Sequence, residues 1–453
     1  MTLRPAPLQT VAADLRVLFA SDPAARSATL RCSFSPTSQS RQLVTYDSEG
    51  RRDFPDYDPE DAPQLLREAA AALGETALVE FVIHRDGTWQ ASAVAGDPGE
   101  ILLHPLTFPE TPAPLPPLDP AATAALEAAW RTHSAAHQVA PPATEAQLSD
   151  LAVALGQPVP PELRALLLQS NGSESTDLWS WLSAADIARE HETWNHLAAT
   201  GEYGDVAYDL GRAGVTVPRL VHPGWIPIAH DHGGNHLAID TVPGPNGTPG
   251  QIIEFGADLV DGPFLHADSL LDYLSDRRYP WPEDAEIDHQ VRPDSPRPLL
   301  DDDVPAPIQS LRLFGLSVVD GATVSRAAGL KMLLINGVPA VDLAGLQELP
   351  LQELRLLNIP RLDLGPLAGH PTLRGLSLSG CGDVEGTAAL AALPSLEHVE
   401  LDRGDTILDA LATHPRLHRV TLAGTQPLAE KVASANRLLH ATPLALHTLS
   451  GRA

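Results

Sequence analysis

A hydrophobic pattern that recurs about every 22 residues is the feature that most constrains how this 453-residue chain folds. The pattern reads L-x-x-L-x-L-x-x, with Val or Ile at some anchors, and successive copies are spaced by 22, 21, 22, 23 and 21 residues. The six copies begin at Ile308, Leu330, Leu351, Leu373, Leu396 and Leu417. A unit this short cannot bury its apolar side alone, so the units have to stack around one continuous core.

The spacing and the anchors are typical of leucine-rich repeats, and they predict a solenoid over residues 306–430. In each unit three apolar anchors, for example Leu373, Leu376 and Leu378, point into the shared core. The Asn that usually follows the anchors is absent, and only Cys381 is a typical replacement for it. Looser turns than in a regular array are therefore expected.

Two proline-rich segments divide the chain. Residues 105–120 hold seven prolines in sixteen positions, which removes backbone donors and favours an extended linker. Residues 282–305 combine five prolines with the acidic run Asp301, Asp302 and Asp303, and they lack the apolar pattern of a folded element. We predict an α+β protein with a small α+β domain at 1–104, a second α+β domain at 119–281 and the solenoid at 306–430.

The first segment alternates helical and strand patterns. Apolar residues at helical spacing open it, two alternating strands follow, and a second helix precedes a hairpin turned at Asp86 and Gly87. The pairing of strands, the acidic loop between them and the late tryptophan strand weakly resemble YezG-like immunity proteins. The resemblance implies a small α+β fold.

The middle segment carries the most specific motif. Thr144 is a predicted helix N-cap, Gly156 a terminator, and Pro161 the start of the next helix. Strands are predicted at 226–229, 236–240 and 250–255, and helices near 183–198 and 267–276. The helical opening and the run W-x-P-I-x-x-D-x-G-G-x-x-L-x-I-D that starts at Trp225 resemble the SUKH superfamily.

The SUKH resemblance implies a protein that binds proteins. The founding members are fungal regulators of cell-wall synthesis, and many bacterial members are immunity proteins against secreted toxins. The positions that match the motif, and that we predict to take part in binding, are Trp225, Asp231, Gly233, Gly234, Asn235 and Asp240. The glycine pair is equally explained by a tight turn, and Trp225 by the core.

A second binding surface is predicted on the repeats. Side chains between the anchors should share one concave face, and they form an apolar patch beside basic residues. The residues of this predicted patch are Phe314, Met332, Leu334, Arg355 and Leu357. The alternative is that the SUKH-type domain or the acidic linker of the same chain covers it.

The charge balance limits the partners. With 30 Lys and Arg against 58 Asp and Glu, the formal charge is −28, which disfavours nucleic acid and anionic membranes and favours a basic protein. A basic toxin domain such as a nuclease fits this charge. Only Cys32 and Cys381 are present and no long apolar span occurs, so we expect a cytoplasmic protein.

Catalysis is less well supported. His230, Asp231, His232, His236 and Asp240 have the side-chain types that bind zinc, and they leave a metal-dependent hydrolase as a third hypothesis. The turn between the two strands separates His230 from His236, so we predict no metal, no cofactor and no enzyme. The leading hypothesis is a toxin-neutralising immunity protein, and the alternative is a regulatory scaffold.

Overall fold

The computed structural model describes residues 3–35, 39–55, 57, 59–104, 108, 110–174, 179–200, 207, 212, 214–259, 262–280, 288–305, 308–402, 405–424, 426–439 and 443–453. The chain forms two compact units. The first unit combines residues 1–103 with 399–453, and the second comprises 104–398. The division falls within the strand His398–Leu401. In the described residues, no helix is both long and apolar enough to cross a membrane.

The first unit is built on an antiparallel sheet. In spatial order its strands are His447–Arg452, Thr88–Ala95, Ala77–His84, Ser27–Phe34, Gln39–Tyr46 and Arg52–Asp53. Its helices are Pro5–Leu15, Leu18–Ser21, Ala62–Ala70, the 3-10 turn Ala71–Leu73, Asp405–Leu411 and Leu428–Leu438. Alternate residues of Ser27–Phe34 are buried, as the alternating sequence predicts.

The C-terminal residues complete this unit in a way that the sequence did not indicate. The strand His447–Arg452 pairs antiparallel with Thr88–Ala95. A second pair joins Arg419–Leu422 to Glu100–Leu102. The last repeat copy, and the copy before it from Val399 onward, belong to the first compact unit, whereas the sequence places all six copies in one domain.

An antiparallel sheet with helices forms the first part of the second unit. In spatial order its strands are Phe264–Ala267, Gln251–Gly256, Asn235–Asp240, Trp225–His230, Ser180–Trp181, Ser173–Glu174 and Gln138–Val139. Its helices are Pro120–His133, the 3-10 turn Ser134–Ala136, Glu145–Leu155, Pro161–Leu167, Ala184–Thr200 and Leu270–Leu274. Trp130, Trp181 and Tyr273 lie together in its core.

Local chemistry explains the helix boundaries. The Thr144 hydroxyl accepts from the Gln147 amide at 3.3 Å, and the Gln147 side chain accepts from the Thr144 amide at 2.8 Å, which forms a capping box. Gly156 ends the helix with φ 66°, a value that suits glycine. Pro161 occupies the first turn of the next helix, where its missing N–H costs nothing.

The second part of this unit is a stack of parallel strands, here called the strand stack. Its members are Asp288–Val291, Ser310–Phe314, Met332–Asn336, Glu353–Leu357 and Gly375–Ser379. Two shorter parallel pairs accompany it, Val318–Asp320 with Ala340–Asp342 and Arg361–Asp363 with Asp383–Glu385. The short helical elements in this part of the chain are Asp301–Asp303, Gly321–Val324, Leu346–Glu348, Gly365–Leu367 and Thr387–Ala392. Four of the strands begin two residues after a predicted repeat anchor, so the sequence period is the period of the stack.

Both predicted linkers contribute to this unit. In the first, the Ala113 amide donates to Thr241 O at 2.8 Å, and Leu115 and Leu118 pack on the core of the antiparallel part. In the second, residues 288–291 pair with 310–314 and open the strand stack. The second segment therefore forms a strand at 288–291, whereas its sequence predicts no folded element; residues 105–107, 109 and 282–287 of the two segments lie outside the described residues.

Candidate functional site

The motif found in the sequence forms a hairpin of Trp225–His230 and Asn235–Asp240, here called the motif hairpin. Trp225 lies opposite Asp240, and His230 lies opposite His236, with an irregularity between Pro227 and Ala229. The three predicted strands are thus present, and five of their six ends differ from the prediction by one residue. The hairpin places the motif turn at one end of the sheet.

Asp231 organises that turn. Its carboxylate accepts from the amides of Gly233 at 2.7 Å and Asn235 at 2.9 Å, and from the Asn235 side chain at 2.7 Å. Burial raises the pKa of Asp231, but these hydrogen bonds outweigh it and hold the pKa below its usual range. The left-handed positions are His232, with φ 64°, and Gly234, with φ 104°, so only the second residue of the glycine pair needs to be glycine for its φ.

Trp225, Asn235 and Asp240 are buried, so they do not offer a contact surface. Trp225 is 1% exposed, and Asp240 is fully buried, where it accepts from the Val242 amide at 2.9 Å and from the Gln251 side chain at 2.8 Å. Burial raises the pKa of Asp240 to about 7. These motif residues support the hairpin from inside, and any role in binding is indirect.

Beside the motif turn lies an open groove of about 980 Å³. It runs between the start of the helix Ala184–Thr200, the motif turn and the short strands at the sheet edge. We refer to it as the groove. It is lined by Gln138, Val139, Ala140, Pro141, Asn171, Gly172, Ser173, Glu174, Ser180, Trp181, Leu182, Ser183, Asp186, Arg189, Glu190, His230, His232, Gly234 and His236.

The groove has an acidic wall and a histidine wall. On the helix, Asp186 pairs with Arg189 at 2.6 Å, and Glu190 lies 3.5 Å from His236. Burial lowers the pKa of His236, and burial together with His232 lowers that of His230, so both rings are neutral at pH 7. Glu174, Asp186 and Glu190 then outnumber Arg189, and the groove has a net negative charge.

The polar side chains of the groove do not form a recognisable catalytic centre. The Ser180 hydroxyl lies 3.0 Å from His232 Nε2, but the other ring beside His232 is His230, at 4.3 Å between centroids. No carboxylate of the described residues pairs with His232, so a Ser-His-acid arrangement is not formed among them. In the same described residues, no three His, Cys, Asp or Glu side chains are grouped to hold a metal ion.

The strand stack presents the second predicted surface. Arg312 pairs in register with Leu334, and Leu334 with Arg355. Phe314 and Leu357 lie two residues after Arg312 and Arg355 on the same strands, and both pair with Asn336. Phe314, Leu334 and Leu357 are half-buried and Arg355 is exposed. Met332 is only 3% exposed, so the expectation that it forms part of an open patch is wrong.

The antiparallel part of the second unit contacts the strand stack at Arg374 and Glu397. Arg219 donates to Glu397, with Nη2 3.0 Å from Oε1. Arg374 donates to the same carboxylate at 2.8 Å and also to the carbonyls of Pro218 and Ala207. These contacts cover the strand stack at Arg374 and Glu397, which lie outside the predicted patch, whereas Arg312 and Arg355 in the predicted patch are partly exposed.

Sequence reasoning missed both the groove and these buried arginines. Asp186, Arg189 and Glu190 stand at i, i+3 and i+4, a spacing that signals one helix face but is common on solvated helices. Nothing in the local sequence relates Arg219 to Glu397, which lies 178 residues away. The burial of Glu397 depends on this tertiary contact and not on its repeat unit alone.

Comparison with known proteins gives the domain a family. Residues 142–276 match the SMI1 / KNR4 family (SUKH-1). Over 150 residues the chain is 32% identical to the cell wall biosynthesis/cell cycle regulator smi1 of Schizosaccharomyces pombe, covering 29% of this chain and 30% of that protein. It is 46% identical over 57 residues to the cell wall assembly regulator SMI1 of Saccharomyces cerevisiae, covering 13% and 11%.

A third similar protein is the glucan synthesis regulatory protein of Neurospora crassa, 50% identical over 54 residues, which are 12% of this chain and 10% of that protein. The chain therefore matches less than a third of the length of each of these relatives. The matched interval includes the capped helices, the motif hairpin and most of the groove. Residues 142–276 of this chain are an SMI1/KNR4 (SUKH-1) domain.

Proposed function

We propose that this chain is a non-enzymatic, cytoplasmic protein that binds another protein through the groove of its SUKH-1 domain, and that it acts as a toxin-neutralising immunity protein. The observation that carries the proposal is the groove itself, which is open, about 980 Å³ in volume and lined by more acidic than basic side chains. A groove of this size accepts a loop or a short segment of a partner. The motif turn supplies its rim through His232 and Gly234.

Charge supports a basic partner. The formal charge of −28 attracts a basic protein over a distance set by the Debye length, about 8 Å at physiological salt. Within the groove, Glu174 is exposed and Glu190 lies beside neutral histidines, so a Lys or Arg of the partner would find carboxylates there. A nuclease toxin has a basic surface and is the kind of partner that fits.

The alternative function is a regulatory scaffold, favoured by the names of the similar fungal proteins, which are regulators of cell-wall or glucan synthesis. In that case the strand stack, which we assign to the leucine-rich repeat class from its period of about 22 residues, would hold a second partner. Both functions use binding alone and differ in whether the partner of the groove is toxic.

The test is capture from the native host at low salt with a groove variant as reference. We expect Glu174→Lys combined with Glu190→Lys to lose a basic partner that the wild type retains. Glu348→Lys combined with Glu385→Lys, an exposed change of the same total charge on the strand stack, should retain it. The captured protein is then expressed with and without this chain. Growth arrest that the chain relieves supports immunity, and a harmless partner supports the scaffold. Equal capture by all variants would refute the groove as the binding site.

A further inference from the structure

The outermost strand of the sheet in the first unit is His447–Arg452, here called the edge strand. It pairs antiparallel with Thr88–Ala95 on one side, and no strand of the described residues pairs with its other side. An unpaired edge presents backbone N–H and C=O groups to any strand that approaches it. The edge strand is therefore a candidate site for strand pairing between chains.

The direction of each backbone group follows from the register. The Ala453 amide donates to Gly87 O at 2.8 Å, and the pairing with Thr88–Ala95 continues from this bond without a shift. In an antiparallel pair, alternate residues direct both backbone groups to the neighbouring strand, and the residues between them direct theirs away. The residues that point away, all of them exposed, are Thr448, Ser450 and Arg452.

These outward groups are available for pairing. In the described part of the chain, no backbone hydrogen bond joins Thr448, Ser450 or Arg452 to a segment on the open side. Leu449, between them, points to the opposite face of the sheet and packs against the apolar core of the first unit. The strand is thus anchored through one face while its open edge stays accessible.

The edge strand also lacks the features that normally prevent strand pairing, which are proline, charge, a bulge or very short length. The opposite edge of the same sheet, Arg52–Asp53, has two residues, and both are charged. The edge strand has six residues, HTLSGR, with no proline and an unbroken register to its neighbour. Its only Lys, Arg, Asp or Glu is Arg452, at the last position.

The edge strand is complementary to a second copy of itself. With a twofold axis at Ser450, the two Ser450 residues lie opposite each other, and Thr448 of each copy lies opposite Arg452 of the other. Each of these outward pairs can exchange two backbone hydrogen bonds. An axis at Arg452 would instead place two like charges in opposition, and an axis at Thr448 would leave Arg452 without a partner strand.

We propose that the edge strand joins two copies of this chain into a twofold dimer, in which one antiparallel sheet continues through both first units with Ser450 on the axis. A twofold contact uses the same patch on both subunits, which is what a self-complementary strand provides. The inference goes beyond the proposed function, because the edge strand belongs to the first unit and the groove to the second.

Analytical ultracentrifugation of the full chain tests the dimer. We expect a mass twice that of the 48.1 kDa chain, with association that strengthens as salt screens the repulsion between two chains of charge −28. Ser450→Pro removes an outward N–H without breaking a bond to Thr88–Ala95, so it should weaken dimerisation by about tenfold or more. Ser450→Ala keeps that N–H and is the matched control, which should dimerise as wild type.

A cysteine on the axis tests the register. Opposite Cα atoms of a hydrogen-bonded antiparallel pair lie about 5.5 Å apart, within the range of a disulfide, so Ser450→Cys should form a covalent dimer under mild oxidation. The two copies of Thr448→Cys would lie four residues apart along the strands, about 13.6 Å, and should not be linked. Cys32 and Cys381 are buried, so the parent chain serves as the background control.

Three results would overturn the inference. The first is a monomeric wild type, which would leave the open edge to an extended segment of another protein. The second is equal cross-linking of Ser450→Cys and Thr448→Cys. The third is loss of the dimer in Glu174→Lys combined with Glu190→Lys, which would move the contact to the groove; we expect this groove variant to dimerise as wild type whether or not it captures a partner, so the two proposals are tested separately.

Discussion

The buried carboxylate of Glu397 offers the sharpest test of how the strand stack is held to the SUKH-1 domain. Its side chain is 14% exposed and lies between Arg219 and Arg374, whose side chains are 11% and 10% exposed. Replacing it by Gln keeps the shape but removes the charge. Two arginines would then face each other without a carboxylate, in a place where water cannot screen them.

The magnitude follows from the pKa. Burial raises the pKa of Glu397, but Arg374 and Arg219 lower it by more than burial raises it. The pKa is therefore about 2, against an ordinary value of 4.5. A difference of one pKa unit is worth about 1.4 kcal/mol, so the charged form contributes about 3 kcal/mol to the stability of the second unit. Removal of one member of a buried ion pair costs about 3–5 kcal/mol, which agrees.

The sign of the pH dependence is also fixed. The pKa is lowered in the folded state, so the stabilisation is complete above the unfolded pKa of 4.5 and is lost as the pH falls through the folded pKa of about 2. The difference in unfolding free energy between wild type and Glu397→Gln should therefore be constant above about pH 5.5. It should shrink to roughly 1.5 kcal/mol at pH 3.

The measurement is differential scanning calorimetry at several pH values, since a chain with two compact units is not expected to unfold in one step. The transition of the second unit should shift to lower temperature in Glu397→Gln, and that of the first unit should not. Glu348→Gln, on an exposed position of the same stack, is the control and should behave as wild type. A loss below about 1 kcal/mol, or a difference independent of pH down to pH 3, would refute the reasoning.

Three further outcomes are expected. Burial raises the pKa of Asp240 to about 7, so its carboxyl keeps a proton that the unfolded chain loses near pH 4. The free energy of unfolding should therefore fall by up to about 4 kcal/mol as the pH rises from 4 to 7. In calorimetry, Asp240→Asn should flatten that decline. Leu334→Asp and Leu357→Asp should weaken capture of a partner by the strand stack with little change in the thermal midpoint; unfolding by both would mean that they are core residues. Thr144→Ala removes a capping hydroxyl bonded to Gln147 and should cost about 1 kcal/mol in unfolding free energy; no measurable loss would contradict the cap.

Sequence reasoning works where local chemistry decides the structure. The cap at Thr144, the terminator Gly156 and the strands of the motif hairpin were predictable because each depends on neighbours in the chain. The period of the strand stack was predictable for a similar reason, since identical units repeat the same burial. The strand Gly375–Ser379 begins two residues after the anchor Leu373.

Sequence reasoning fails where residues far apart in the chain meet. The strand His447–Arg452 has ordinary alternation, and only the free edge of Thr88–Ala95 explains its place in the first unit. Met332 lies at a position of the strand that points away from the repeat core, and its burial depends on what else covers that face. Such coverage depends on tertiary packing, which no local pattern describes.

The residues that identify the SUKH-1 domain and those that line its open groove are largely different sets. Trp225 and Asp240 belong to the motif but are buried, and the Asp231 carboxylate accepts hydrogen bonds from the backbone of the turn. The side chains that a partner could touch, such as Glu174 and Arg189, lie outside the motif. A match to the family therefore reports the scaffold, whereas under the proposed function the choice of partner depends on groove residues that lie mostly outside the motif.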